Sequence, residues 1–178
     1  MTRPPSPADD EATPPAPSTP DQGTGIPRGG EGARRDPILV GWREWVAFPE
    51  LGIPRIKAKV DTGARSSALH AHEIRYVRKG GRRYVRFKVY PTQKDDRSFV
   101  EARGEWLEER TVRSSFGWVE VRPVILTQLE LGGEQWPIEV TLTRRDSMGF
   151  RLLLGRQALK GRCRVDPGAS FLTRRTKR

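Results

Sequence analysis

The stretch Lys59-Val60-Asp61-Thr62-Gly63-Ala64-Arg65-Ser66-Ser67-Ala68-Leu69 sets one carboxylate at the end of a strand-like run and follows it at once with a hydroxyl and a glycine. Ile56-Lys57-Ala58-Lys59-Val60 reads as a strand, and Ala64 to Leu69 passes from small and polar to apolar, so Asp61 falls on a loop between two β elements. Asp-Thr-Gly alone is a common turn sequence; its flanks give it weight. Gly63 lets a second backbone or a substrate come close to the carboxylate. Two carboxylates at contact distance cannot both ionise, and a shared proton lets one act as acid while the other activates water. Only one copy of the pattern is present. Acid–base work by Asp61 therefore predicts a homodimer, with the second carboxylate supplied by another copy of the chain.

Composition divides the 178 residues unevenly. Positions 1–36 carry Pro4, Pro5, Pro7, Pro14, Pro15, Pro17, Pro20 and Pro27, with almost no large apolar residue beyond Met1 and Ile26, and are expected to be a disordered Pro/Gly-rich tail. Residues 37–173 have the size of one ordinary domain, and residues 174–178 form a short basic tail. Four of the 33 basic and six of the 22 acidic residues lie in the first 36, so the remainder carries a net charge of +13. Such a field attracts nucleic acid, ribosomal surfaces or acidic polypeptide. The start lacks an apolar stretch behind a basic head, and no run of about 18 apolar residues occurs, so the expectation is a cytoplasmic protein without a membrane. The lone Cys163 fits that compartment and reads as a buried structural thiol.

From Ile38 onward, short β-branched and aromatic runs are broken by Gly, Pro and charged turns. The expected strands are Ile38–Phe48, Ile53–Asp61, Ala68–Arg78, Arg82–Tyr90, Phe99–Ala102, Glu105–Arg113, Trp118–Leu126, Trp136–Thr143, Arg151–Leu154 and Cys163–Asp166. Turns are expected at Pro49–Gly52, Lys79–Gly81, Ser114–Gly117 and Gly132-Gly133, and one short helix at Arg156–Lys160, stopped by Gly161. In Tyr84–Tyr90 the apolar Val85, Phe87 and Val89 alternate with polar neighbours, and Trp118–Arg122 repeats the period. Many short strands and one small helix imply an all-β barrel or sandwich.

With these motifs in place, the chain resembles the retropepsin-like aspartic peptidases, the dimeric relatives of retroviral proteases. The likeness is greatest to their bacterial branch, often labelled "ATP-dependent zinc protease" and found beside ribosomal-protein glutamate ligases. It runs from Val40 to Leu172, anchored by Val60–Ala71, Val112–Gly117, Arg122-Pro123-Val124-Ile125, Leu152–Arg156 and Val165-Asp166-Pro167. It implies a closed β-barrel of the acid protease fold, one lobe per chain, with a short C-terminal helix.

By that resemblance Asp61 is the catalytic residue, and Thr62, Gly63 and Ala64 form its loop. Thr62 would bond to the partner's loop. Glu105 to Arg122 would be a flap hairpin closing over an extended peptide or protein substrate, with Arg113, Ser114, Ser115, Phe116 and Gly117 at its substrate-binding end. Gly155 and Arg156 would form the structural turn beneath the site. In the viral enzymes that Arg pairs with an acid just after the Asp-Thr-Gly-Ala segment, whereas Arg65 and Ser66 stand there in this chain. Arg156 must find another partner, a carbonyl or an acid of the other subunit. The segment Tyr76 to Arg103 also exceeds the viral pattern, with Lys94, Asp95, Asp96 and Arg97 in a loop. The proximity to glutamate ligases implies acidic or glutamate-modified tails as substrate and association with a ribosomal protein.

Other chemistries have less support. Asp166 reads as a turn residue, since Pro167 removes a backbone N–H and the chain has room for one lobe. His70 and His72, the only histidines, are too few for a zinc site, so no metal ligands are expected. No Gly-rich phosphate loop accompanies the ATP label, so no cofactor is expected. Ser66 and Ser67 near His70 lack a nucleophile elbow. The rival reading is a non-catalytic basic β-barrel module that binds RNA, ribosome or an acidic protein, with Arg174-Arg175-Thr176-Lys177-Arg178 as part of its surface.

Overall fold

The computed structural model of the chain describes residues 36–93, 95, 97–113, 117, 119–144 and 149–173. The expected tail up to residue 35, Lys94 and Asp96 of the expected loop, Ser114–Phe116, Trp118 and the basic end 174–178 lie outside the described residues. The elements are β1 (Ile38–Gly41), β2 (Arg43–Phe48), a 3-10 turn (Pro49–Leu51), β3 (Ile53–Asp61), β4 (Ser67–His70), β5 (His72–Lys79), β6 (Arg82–Val89), β7 (Val100–Arg113), β8 (Val119–Leu131), β9 (Glu134–Thr143), β10 (Leu152–Gly155), α1 (Arg156–Leu159) and β11 (Cys163–Asp166). The chain is mostly β with one short helix, as its composition of short runs implies.

Nine strands form one mixed sheet in the order β2-β3-β10-β4-β9-β8-β7-β6-β5. β10 runs parallel to β3, and β4 parallel to β9. The first six strands bend into a partial ring, returning from β8 to β2 through the pair Ala47–Glu130. β1 and β11 form a separate parallel pair. Alternation fills the inside: Ile56, Ala58 and Val60 of β3, Val85, Phe87 and Val89 of β6, and Leu152 and Leu154 of β10 all join one buried cluster. Among the described residues no helix is long and apolar enough to cross a membrane.

Four expected runs are divided or joined differently, each for a tertiary reason. Ile38–Phe48 breaks at Trp42, whose N–H donates to the Ala169 carbonyl at 2.9 Å while its carbonyl accepts from Val60 at 2.9 Å. Ala68–Arg78 breaks at Ala71, whose N–H turns to Thr143 at 3.0 Å. Phe99–Ala102 and Glu105–Arg113 merge into β7, because Gly104 lies against the Ile125 side chain and continues the strand where a side chain would not fit. β8 runs on to Leu131, and its start departs from the expected alternation: Val119 and Val121 are 56% and 60% exposed, whereas Arg122 is buried.

Glu44, on the inward face of β2, is completely buried, and sequence patterning did not single it out. Its carboxylate accepts hydrogen bonds from Gly41 N at 2.7 Å, Leu172 N at 2.8 Å, Thr173 N at 3.3 Å and Thr173 Oγ1 at 2.8 Å, clasping the C-terminal segment to β1 and β2. Removing it strands several donors. Glu44→Ala is expected to lower stability by about 3 kcal/mol, and Glu44→Gln by less because an acceptor oxygen remains; the midpoints of urea unfolding measure both.

Candidate active site

Asp61 is the last residue of β3, on the face opposite Ile56, Ala58 and Val60 and therefore outside the core. Its Oδ1 accepts hydrogen bonds from the backbone N–H groups of Gly63 and Ala64, both at 3.0 Å. One carboxylate oxygen is thus anchored by its own loop. The other, Oδ2, lies 4.0 Å from Lys59 Nζ, with the two side chains 29% and 47% exposed. At that exposure the pair contributes less than about 1 kcal/mol to stability, so its interest is positional.

The loop is held from below by the chain segment that follows β10. Parallel pairing sets Leu154 beside Val60 and Gly155 beside Asp61. The first N–H groups of any helix lack intrahelical partners, and here the loop takes them: Arg156 N donates to Ala64 O at 2.8 Å and Gln157 N to Arg65 O at 3.2 Å. Arg156 Nη1 donates to Gly63 O at 2.9 Å. Of the two partners expected for Arg156, the structure has the carbonyl, in the same protomer. Gly155 N donates to Ser67 Oγ at 3.2 Å, and Thr141 Oγ1 to Ser67 O at 2.9 Å. A Cβ on Gly155 would lie 2.5 Å from the Ser66 carbonyl carbon and oxygen, so only glycine permits this approach.

Thr62 is exposed at the rim of an open depression of about 470 Å³ whose walls include Arg65, Gln157, Leu159 and Cys163. Burial pushes the Cys163 thiol up to about 11, which leaves it protonated and unreactive at neutral pH.

β7 and β8 form the long hairpin expected of a flap, with Arg113 opposite Val119 near its end and Gly117 at positive φ. Ser114, Ser115 and Phe116 lie outside the described residues. The hairpin touches the Asp61 loop through Arg110, which sequence reasoning missed: its guanidinium donates to Ser66 Oγ at 3.4 Å, to Glu139 at 2.7 Å and to Glu108. The only sequence signal was a charged residue on a strand, which is too common to single out.

The remaining candidates resolve simply. Asp166 ends β11 and accepts from Gly168 N at 2.8 Å, the bond of a turn former. His72 Nε2 lies 2.8 Å from His70 Nε2, so one ring donates while the other accepts. Among the described residues no group of three or more His, Cys, Asp or Glu is placed to hold a metal.

The Asp61 carboxylate is thus pinned on one oxygen by its own loop at a strand end, and that loop is braced by the Gly155-Arg156 turn. Residues 39–176 match the family described as RimB-like, "retropepsin-like aspartic endopeptidase RimB", and the chain belongs to that family of hydrolases. It is also 44% identical over 134 residues to a probable alpha-L-glutamate ligase of Shewanella halifaxensis, covering 75% of this chain and 29% of the relative. A protein of the same description from Parasynechococcus marenigrum is 49% identical over 133 residues, covering 75% and 28%. The chain thus spans less than a third of the length of these relatives. Among solved structures, a Legionella pneumophila protein of unknown function (DUF785) superposes with a TM-score of 0.65 at 33% identity, covering 77% of this chain and 98% of the other.

Proposed function

We propose that the chain is an aspartic endopeptidase that works as a homodimer, with one Asp61 from each protomer in the shared cleft of a pair of retropepsin-like barrels. The observation that carries this reading is the Asp61 loop. One oxygen of its carboxylate is oriented by two backbone N–H groups, the other has only the half-exposed Lys59 beside it at 4.0 Å, and no second carboxylate of the same protomer joins the described loop.

In the proposed reaction, Asp61 and its twin hold a water between them, one ionised and one protonated. The ionised carboxylate takes a proton from the water as its oxygen attacks the amide carbonyl, and the protonated one donates toward the carbonyl oxygen. Collapse of the tetrahedral intermediate returns a proton to the leaving amine. The chemistry uses carboxylates and water alone. The β7–β8 hairpin closes over an extended substrate, and the exposed Val119 and Val121 give that hairpin apolar surface for the substrate to lie against. The substrate class we assign is acidic or glutamate-extended polypeptide, supported by the chain's net charge of +11 and by the family's kinship with segments of probable alpha-L-glutamate ligases.

Mixing tests the shared site. When wild-type chain is equilibrated with an equal amount of Asp61→Asn chain, activity per wild-type chain is expected to fall to about half, because half of the wild-type protomers then sit in inactive mixed dimers. Unchanged activity per wild-type chain would show that each protomer works alone.

A further inference from the structure

The outward face of β3 reads Arg55, Lys57, Lys59, Asp61, because alternation turns Ile56, Ala58 and Val60 into the core. Three cations therefore stand in file and end at the candidate catalytic acid. Their neighbours across the sheet offer no negative charge: Lys59 faces Arg43 on β2 and Leu153 on β10, and Lys57 faces Trp45. Among the described residues, Arg55 and Lys57 have no carboxylate partner, and Lys59 has only Asp61.

The row is also positioned in advance. Arg55 lies over the Trp45 ring at 3.9 Å, and Lys57 lies 5.3 Å from the same ring and 5.9 Å from Phe171, which stacks on Trp45 with centroids 5.8 Å apart. Cations held over aromatic faces lose less freedom when they take up an anion.

We infer that Arg55, Lys57 and Lys59 form a binding stripe for a run of acidic residues in a polypeptide whose adjoining segment enters the site at Asp61. The inference rests on the proteolytic reading above. Alternate side chains of a strand are spaced by roughly 6.6 Å, so the stripe extends roughly 20 Å from Arg55 to Asp61. Alternate carboxylates of an extended acidic segment repeat at the same interval. The stripe matches that segment charge for charge, whereas an isolated acidic side chain would engage one cation. An acidic peptide is favoured over nucleic acid because the row ends at a carboxylate suited to peptide hydrolysis, which would repel a phosphate backbone laid along the whole stripe.

The test compares a fluorogenic peptide carrying a glutamate run on one side of its cleavage site with its glutamine counterpart. Arg55→Ser combined with Lys57→Ser leaves Asp61, its loop and Lys59 in place. The expected result is a KM for the acidic peptide raised roughly five- to tenfold at low salt, with the difference shrinking as salt is added, and an unchanged kcat/KM for the neutral peptide. Equal losses on both peptides, or no change on either, would overturn the stripe. So would an unchanged KM for the acidic peptide alongside lost binding of a labelled single-stranded RNA, which would assign the row to nucleic acid. Binding of the glutamate peptide to the Asp61→Asn chain, read by fluorescence anisotropy, separates the two layers. Binding that depends on Arg55 and Lys57, with no cleavage by the wild type, overturns the proteolytic reading and leaves the stripe; cleavage without that dependence does the reverse.

Discussion

On the proposed mechanism, Asp61→Asn is expected to give a folded chain that still pairs but whose peptidase activity falls by about 10⁴-fold, the upper range for removing a general acid–base group. Folding survives because the asparagine carbonyl oxygen can accept the same two hydrogen bonds that Gly63 and Ala64 donate to Asp61 Oδ1 at 3.0 Å. Chemistry does not, because an amide neither ionises nor shares a proton with its twin. The pertinent measurement is cleavage of an acidic peptide, with size-exclusion chromatography and thermal unfolding run alongside. Residual activity within tenfold of wild type, in a variant of native stability, would remove Asp61 from the reaction. A variant that also loses its fold would make the residue structural.

Gly155→Ala is expected to damage both stability and activity although it touches no reacting group. The added methyl meets the Ser66 carbonyl carbon and oxygen at 2.5 Å and the Arg65 oxygen at 2.8 Å, all backbone atoms that cannot rotate away. The loop must move, and with it the bonds that Arg156 and Gln157 make to Ala64 and Arg65. Such overpacking costs about 3 kcal/mol, which for a domain of this size lowers Tm by roughly 10 °C. Displacing the Asp61 loop by about 1 Å is expected to cost roughly 10²-fold in kcat/KM besides. Activity assayed well below the lowered Tm distinguishes the two effects. A variant as active and as stable as wild type would mean that the loop tolerates displacement and that Gly155 does not set its position.

Much of this was legible in the chain because the decisive signals are local. Ile53–Asp61 was expected as a strand and forms one with the same limits, since its alternation and the glycines on either side leave few alternatives. The short helix after Gly155 was legible from Arg156 to Leu159 for a similar reason. Contacts between distant segments were not. That Gly104 continues a strand depends on Ile125, and that Trp42 interrupts one depends on Ala169. Val119 and Val121 alternate like core residues yet lie exposed, because alternation marks a face without saying what lies against it. At the site, the sequence offered two kinds of partner for Arg156, and only the fold brings the Gly63 carbonyl to it. Glu44 and Arg110 gave no signal, because a lone charge on a strand looks the same whether it faces water or, as here, four donors around Glu44 and three acceptors around Arg110.

The bracing of the Asp61 loop by the first turn of α1 has a consequence for assembly. Every bond found there, from Arg156 and Gln157 to Gly63, Ala64 and Arg65, is made within a single copy. If Asp61 works as proposed, a solitary molecule would already hold its share of the reaction centre in place, and the ordering entropy of that loop would be spent when the chain folds. The proposed pairing would then resemble the closing of two finished halves of a mould, governed by how often they collide and how long they stay together.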